Sequence, residues 1–403
     1  MVDSMGDGDG DGDGDGVGVG GGGGRPAVGV ATALLPETEE QRQLRAVLRD
    51  FVAGTCGPEA VREQVAGSRG WDRVLWERLA GEIGVHGPAV PEAYGGSGYS
   101  FAELAVALRG RTRSVSGAAA PDRRARRVHP ATQRRPAGVR PLLAADRRGA
   151  LTATVAGFLH AAEVTAERAG GGWVLRGAAD FVPDGHGADL MVVAAGVPDG
   201  GVRLFTCEPA AGTCVRTPRR VLDFTRRQAL VEFRGAPAEP LGEEGEVPGV
   251  VATVLDRARV ALAAEQVGGC GHVLDATVGH VLQRSRFGRL FGSFQAVKHR
   301  LADVLVELEA ARSATAFATA SVVEDVEGAA RLAVAANAAA VVCSGAYRLP
   351  TDEYVQFHGG IGFTWEHAAH LYLRRARGDD ALFGTADDHR ARLAGMLRFA
   401  GSP

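Results

Sequence analysis

Apolar positions recur at helical spacing from position 44 onwards, where Leu44, Val47, Leu48 and Phe51 share a face. Thr38, followed three residues later by Gln41, supplies a capping box for that helix. A second helix is expected over residues 71–83, with Val74, Leu75 and Leu79 on one face, and a third from Ser100. Between them lies a loop of turn residues, 87–98. From 151 to about 241 the pattern shortens to β runs, at 151–155, 173–176, 190–194 and 202–206, separated by Gly and Pro. Beyond about 250 the helical period returns over 255–283, 296–323, 328–343 and a last helix after Asp387. The pattern predicts an α+β chain: an N-terminal helical domain (37–150), a central antiparallel β domain (151–245) and a C-terminal helical bundle (246–403).

Two stretches fall outside this pattern. Residues 1–36 are Gly/Asp-rich and too poor in large apolar side chains to offset ordering entropy, so a disordered leader is expected. Its Gly16, Gly18 and Gly21 satisfy G-x-G-x-x-G, but no strand precedes them and no amphipathic helix follows. Asp7, Asp9, Asp11 and Gly12 imitate a calcium loop, yet its twelfth position is Gly18 rather than a bidentate Glu. Residues 109–148 carry about a dozen arginines against two acids and show no sustained apolar period. They read as poorly ordered or as a frame-shifted translation of a GC-rich gene, with a basic patch for an anionic partner as the lesser alternative.

Composition narrows the function classes. With 45% hydrophobic and 23% charged residues and a net charge of −3, the chain reads as an ordinary cytoplasmic protein without an electrostatic reason to bind nucleic acid. Neither a membrane span nor a signal peptide is evident. Five scattered cysteines without a Cys-x-x-Cys pair argue against a disulfide framework or structural zinc and read as small buried hydrophobes. No other metal site is expected.

Chemistry concentrates in two segments. In Arg284-Ser285-Arg286-Phe287-Gly288-Arg289-Leu290-Phe291-Gly292-Ser293-Phe294-Gln295, a helix ends at a glycine-bearing turn and restarts, with Arg284 and Gln295 placed to donate to an anion. Gln356-Phe357-His358-Gly359-Gly360-Ile361-Gly362 is a second polar, glycine-rich turn between helices, where a ligand reaches backbone N–H groups closely.

These segments, together with Val90-Pro91-Glu92-Ala93-Tyr94-Gly95-Gly96, resemble the acyl-CoA dehydrogenase family of flavoproteins from about Thr38 to Leu397. The resemblance implies FAD lying between the β domain and the C-terminal helices, with part of its site from a neighbouring subunit. It implies Arg284 and Gln295 at the diphosphate and Phe287 near the adenosine. It further implies that Gln356, Gly359 and Gly360 form the receiving turn across the subunit interface, with Thr385 and Phe181 as further cofactor contacts. Asp256 points to the pantetheine of an acyl-CoA and Arg259 to the reaction centre. The partners implied are an electron-transfer flavoprotein or similar acceptor and a homo- or hetero-tetramer with another acyl-CoA dehydrogenase subunit.

The family's reaction removes an α-proton with a glutamate while the β-hydrogen leaves as hydride to the flavin. Its two alternative glutamate positions fall here on Phe383 and Ala258, and neither side chain accepts a proton. Asp379, Asp380 and Asp387 lie close to the first position, and solvated helix-end charges is the better reading of all three. The turn after Thr152-Ala153-Thr154-Val155 departs as well, reading Ala156-Gly157-Phe158-Leu159-His160, and Phe181-Val182-Pro183 stands where a Trp-Ile-Thr-like strand flanks the flavin. Pro183 has neither hydroxyl nor N–H to donate. The expectation is an acyl-CoA dehydrogenase-like flavoprotein that dehydrogenates an acyl-CoA at the α,β-bond, either weakly active or serving as the base-less subunit of the paired type found among actinobacterial members. The alternatives are a non-enzymatic scaffold without functional FAD and an active enzyme with an unrecognised base.

Overall fold

The computed structural model describes residues 37–67, 72–84, 97–111, 152–159, 163–242, 247–324 and 329–397. The leader, Trp71, the 90–96 motif, His160 and all of the arginine-rich segment beyond residue 111 lie outside the described residues.

Four helices open the chain: α1 (Glu39–Thr55), α2 (Pro58–Ala66), α3 (Arg73–Gly81) and α4 (Phe101–Arg111). The capping box forms as expected, with Gln41 N–H donating to Thr38 Oγ1 and Thr38 N–H to Gln41 Oε1, both at 3.2 Å. Asp72 caps α3 by accepting from the N–H groups of Val74 and Leu75. Leu48, Leu79 and Ala107 bury together. Val47 and Val74, expected on the buried faces, are exposed. The stripe facing the neighbouring helices instead runs through Leu44, Leu48 and Val52 on α1 and through Trp76 and Leu79 on α3.

A seven-stranded sheet follows: β1 (Ala153–Ala156), β2 (Val164–Ala169), β3 (Gly172–Pro183), β4 (Leu190–Gly196), β5 (Val202–Cys207), β6 (Cys214–Pro218) and β7 (Gln228–Leu241). Its order is β1-β4-β2-β3-β7-β5, with β6 on β7, and the β4–β5 ladder turns the sheet back on itself. The sheet is mixed rather than antiparallel, because β1 and β2 both run parallel to β4. The chain leaves β1, makes the β2–β3 hairpin and only then returns to β4, so β4 re-enters in the direction of β1. Alternate residues point inward, among them Val164, Ala166, Leu175, Met191, Val193, Phe205 and Val231.

The remainder is helical: α5 (Val247–Gln283), the small hairpin β8 (Ser285–Arg286) and β9 (Arg289–Leu290), α6 (Gln295–Val323), α7 (Ala329–His358), α8 (Ala369–Asp379) and α9 (Ala386–Leu397). Helix α5 is buried on nearly every side. It meets α4 through Ala261 and Ala264, and α6 and α7 through Val267, Cys270 and Val273. Its Gly269 is required there, since a Cβ would stand 2.6 Å from the Tyr347 ring of α7.

Helix α7 does not stop near Cys343 as the pattern suggests but continues through Pro350 to His358. Pro350 has no N–H for the Ala346 carbonyl, and the Cys270 thiol donates to that oxygen instead, at 3.3 Å. All five cysteines are buried and free. The segment Ala329–Phe363 is, among the described residues, long and apolar enough by length and composition to cross a membrane. In this fold it packs against α5, α6, α8 and α9.

Candidate active site and its outer edge

The residues singled out by the sequence divide between the two ends of α5. Towards its N-terminal end, Leu255, Ala258 and Leu262 pack with Leu382 and Phe383 and with Val155, Phe158, Val192 and Ala194 of the sheet. Phe158 reaches this cluster because Gly157 turns the chain at φ +72°, where a Cβ would meet the Ala194 carbonyl oxygen at 2.5 Å. Ala258 and Phe383, far apart in sequence, therefore share one buried, apolar cluster.

The charged pair expected beside them is closed upon itself. Arg259 Nη1 donates to Asp256 Oδ1 at 2.6 Å, and Arg259 Nε and Nη2 reach the Phe383 carbonyl at 3.2 and 3.3 Å. Burial raises the Asp256 pKa and lowers that of Arg259, in each case against the attraction of the other. The carbonyl that Arg259 grips belongs to a residue in the left-handed region, Phe383 at φ +69°, followed by Gly384 at φ +115°. Thr385 caps α9, its hydroxyl donating to Asp388 Oδ2 at 2.7 Å and accepting from the Asp388 N–H. Of the three nearby acids, Asp387 is exposed and paired with Arg390, and Asp380 is half-buried. Asp379 is almost wholly buried, which corrects its reading as a solvated helix-end charge.

At the far end of α5 the side chains turn outward. The β8–β9 hairpin closes through Phe287 and Gly288, both at positive φ, and leaves the Phe287 ring 93% exposed. Arg284 is half-buried with Nη1 3.3 Å from His280 Nε2, while Gln295 opens α6 at the surface. Gln356 is exposed on the last turn of α7, so it and His358 belong to a helix rather than to the turn. Gly359, at φ +66°, and Gly360 have open space where a side chain would stand. Gly362 is the glycine that packing demands, since its Cβ would lie 3.0 Å from the Val355 carbonyl oxygen.

The fold brings these two segments together on one face. Phe357 packs against Phe291, Val281 and Val297, and the His280 and His358 rings stack at 3.8 Å. His367 extends the stack, 4.4 Å from His358. Burial lowers the pKa of all three, that of His367 to about 4, so they are neutral near pH 7 beside the Arg284 cation. Sequence reasoning missed this imidazole stack, for nothing in the spacing pairs position 280 with 358 and 367.

Phe181 stands apart on the sheet, exposed at φ +51°, with the Arg219 guanidinium 6.0 Å from its ring centre. The Pro183 carbonyl is taken by the Thr154 hydroxyl at 2.6 Å.

The helix–sheet–helix order and the paired turns at the end of α5 define an acyl-CoA dehydrogenase fold, and the chain belongs to the acyl-CoA dehydrogenase family. Residues 38–121 match the family's N-terminal domain and residues 249–397 its C-terminal domain. Acyl-CoA dehydrogenase IpdE2 of Mycobacterium tuberculosis is 32% identical over 355 residues, covering 88% of this chain and 96% of the relative. Among solved structures, the Tcur3481–Tcur3483 steroid acyl-CoA dehydrogenase variant is 28% identical with a TM-score of 0.77, covering 89% of this chain and 98% of that one. The ChsE4–ChsE5 complex from Mycobacterium tuberculosis shares the fold, at 24% identity and TM-score 0.78 over 91% of this chain and 99% of the other.

Proposed function

We propose that the chain is the base-less subunit of a hetero-oligomeric acyl-CoA dehydrogenase, lending one edge of a flavin site to a neighbouring subunit that carries the proton-abstracting carboxylate. One observation carries this reading. Both family base positions, Ala258 and Phe383, are buried in a single apolar cluster, while the side chains suited to an anion remain at the surface. The two-component Tcur3481–Tcur3483 and ChsE4–ChsE5 structures support an assembly of two different subunits.

The outer edge suits a diphosphate. Arg284 offers a bidentate fork, Gln295 and Gln356 offer amide donors, and Gly359 and Gly360 leave the backbone approachable. Phe287 would cover an adenosine ring. The inner end does not suit a flavin ring and a thioester in the same way. Phe158 and Phe383 fill it, Pro183 offers no donor, and Asp256 and Arg259 neutralise each other. Thr385 has its hydroxyl committed to Asp388, and Phe181 is the aromatic surface left on the sheet.

Bound FAD supplies a hydride acceptor, and an electron-transfer flavoprotein or similar acceptor would then reoxidise it. This chain's share is to bind and orient, because neither Ala258 nor Phe383 offers a carboxylate to take an α-proton and the neighbouring Asp256 is held by Arg259. A second reading, a scaffold that binds no flavin, draws on the same filled inner end.

The test is to purify the chain alone and co-expressed with a second acyl-CoA dehydrogenase subunit that carries the family glutamate, then compare mass and flavin absorbance. A colourless single species and a yellow mixed complex are expected, with Arg284→Ala lowering flavin retention in the complex. A chain that is yellow alone and bleaches with acyl-CoA overturns the proposal, and a colourless mixed complex favours the scaffold.

A further inference from the structure

Away from both ends of the site, five charged side chains are shut from solvent where three parts of the fold meet. Asp223 and Arg226 come from the loop 219–227, Glu265 from the middle of α5, and Arg375 and Asp379 from α8; none is more than 7% exposed. Arg226 Nη2 and Arg375 Nη1 both reach Glu265 Oε1 at 2.8 Å, and Arg375 Nε lies 2.7 Å from Asp223 Oδ2. Asp223 Oδ1 accepts from the Thr225 N–H at 2.9 Å, and the Thr225 hydroxyl accepts from Arg375. The loop lies directly on α8, since a Cβ on Gly378 would come within 3.0 Å of Asp223 Cβ. Tyr347 of α7, with Tyr372 of α8 beside it, is a further titratable group facing the cluster among the described residues.

Three carboxylates against two guanidiniums leave one negative charge in excess, and an uncompensated charge is costly to bury. Asp379 is the carboxyl least served. Its nearest cation, Arg226, is 3.5 Å away, and neither of its oxygens has a hydrogen-bond partner among the described residues. We propose that this cluster is a proton-operated clasp between the strand-rich region and the C-terminal helices, closed while Asp379 is protonated and loosened when that proton leaves.

Burial first, with Glu265 and Asp223 adding to it against Arg226 and Arg375, pushes the Asp379 pKa up to about 8. The clasp sits one turn from the apolar cluster, because the Asp379 carbonyl accepts from the Leu382 N–H at 3.1 Å just before Phe383.

The sign of the pH dependence follows from linkage. An unfolded Asp titrates near 3.9, so between that value and about 8 the folded chain holds a proton that the unfolded chain has lost. Stability from this group therefore falls as pH rises through that window, by up to about tenfold in the folding constant per pH unit, and levels off above it. His367 and His389, held near 4 by burial, act in the opposite sense and only below about pH 6.5. The buried thiols of Cys207, Cys214, Cys270 and Cys343, whose pKa burial raises, act in the clasp's own sense as pH approaches about 8.5, so the clasp is the part of the loss that removing the Asp379 carboxyl abolishes.

The experiment compares the full chain with Asp379→Asn by denaturant unfolding from pH 6 to 9 and by hydrogen exchange corrected for intrinsic rates. The wild type should lose about fivefold in folding constant between pH 7 and 8 beyond any loss the variant shows, with faster exchange in 219–227 and 379–385 that the variant lacks. Glu265→Gln provides a second route should Asp379→Asn not fold. It removes the surplus charge from another element and should also flatten the profile. Equal losses in wild type and variant, or exchange in these peptides indifferent to pH, overturn the clasp.

Discussion

One helix, α5, carries two regions treated in opposite ways. Near Ala258 its side chains face Phe158, Leu382 and Phe383 in a buried apolar cluster, and its ion pair is spent on itself and on a backbone carbonyl. At its other end Arg284, Phe287 and Gln295 stand outward beside the open glycines 359 and 360. The difference teaches which constraint each region serves. The inner end is shaped by packing within the chain, whereas the outer end keeps polar and aromatic surface that packing within the chain does not use.

Substitutions in the inner end should therefore cost the most stability. Arg259→Ala leaves Asp256 buried without its cation and removes two donors from the Phe383 carbonyl, an expected loss of about 3–5 kcal/mol. Phe158→Ala deletes a ring from the same cluster and should cost a similar ~3–5 kcal/mol, less where the walls collapse. Denaturant midpoints with unchanged slopes measure both. If Arg259→Ala costs under about 1 kcal/mol, water already reaches the pair and the contrast between the two ends fails.

The sequence made the outer end legible and the inner end only half so. The Thr38–Gln41 box, the break at Arg284 and the restart at Gln295 depend on local spacing, and each forms where local chemistry puts it. Helix α7 outruns its apolar period because the carbonyl that Pro350 leaves without an N–H is met by the thiol of Cys270, 80 positions earlier in the chain. Likewise Asp379 resembles a helix-end charge until Arg226, Glu265 and Arg375 are folded around it. Parallel pairing of β1 with β4 was hidden for the same reason, since direction in a sheet depends on the connection and not on the strand. Absence of a carboxylate at 258 and 383 could be read directly, but their sharing one cluster could not.

Phe383→Glu sharpens the comparison through rate, measured on protein that stays folded, since a carboxyl in this cluster also costs stability. The backbone at 383 is held by Arg259 and followed by Gly384, so a glutamate there keeps the same trunk. A positioned general base contributes about 10²- to 10⁴-fold. If only the partner subunit's centre meets acyl-CoA, Phe383→Glu in the mixed oligomer should change turnover by less than about twofold. A rise of about tenfold or more would show that substrate enters the inner end of this chain as well.

The smallest effect on stability belongs to the outer end. Phe287 is 93% exposed, so its ring contributes almost no burial within this chain, and Phe287→Ala should shift stability by no more than about 0.5 kcal/mol. Its left-handed backbone is no objection, because Phe and Ala are equally disfavoured there and the neighbouring Gly288 carries the rest of the turn. Under the proposed function this ring covers an adenosine that the chain shares with its partner subunit. The same variant should therefore weaken flavin retention or subunit pairing in the mixed oligomer while leaving the unfolding midpoint of the isolated chain in place. Were the midpoint to fall with assembly unchanged, the ring would be part of this chain's own packing, and the outer end would no longer differ in kind from the inner one.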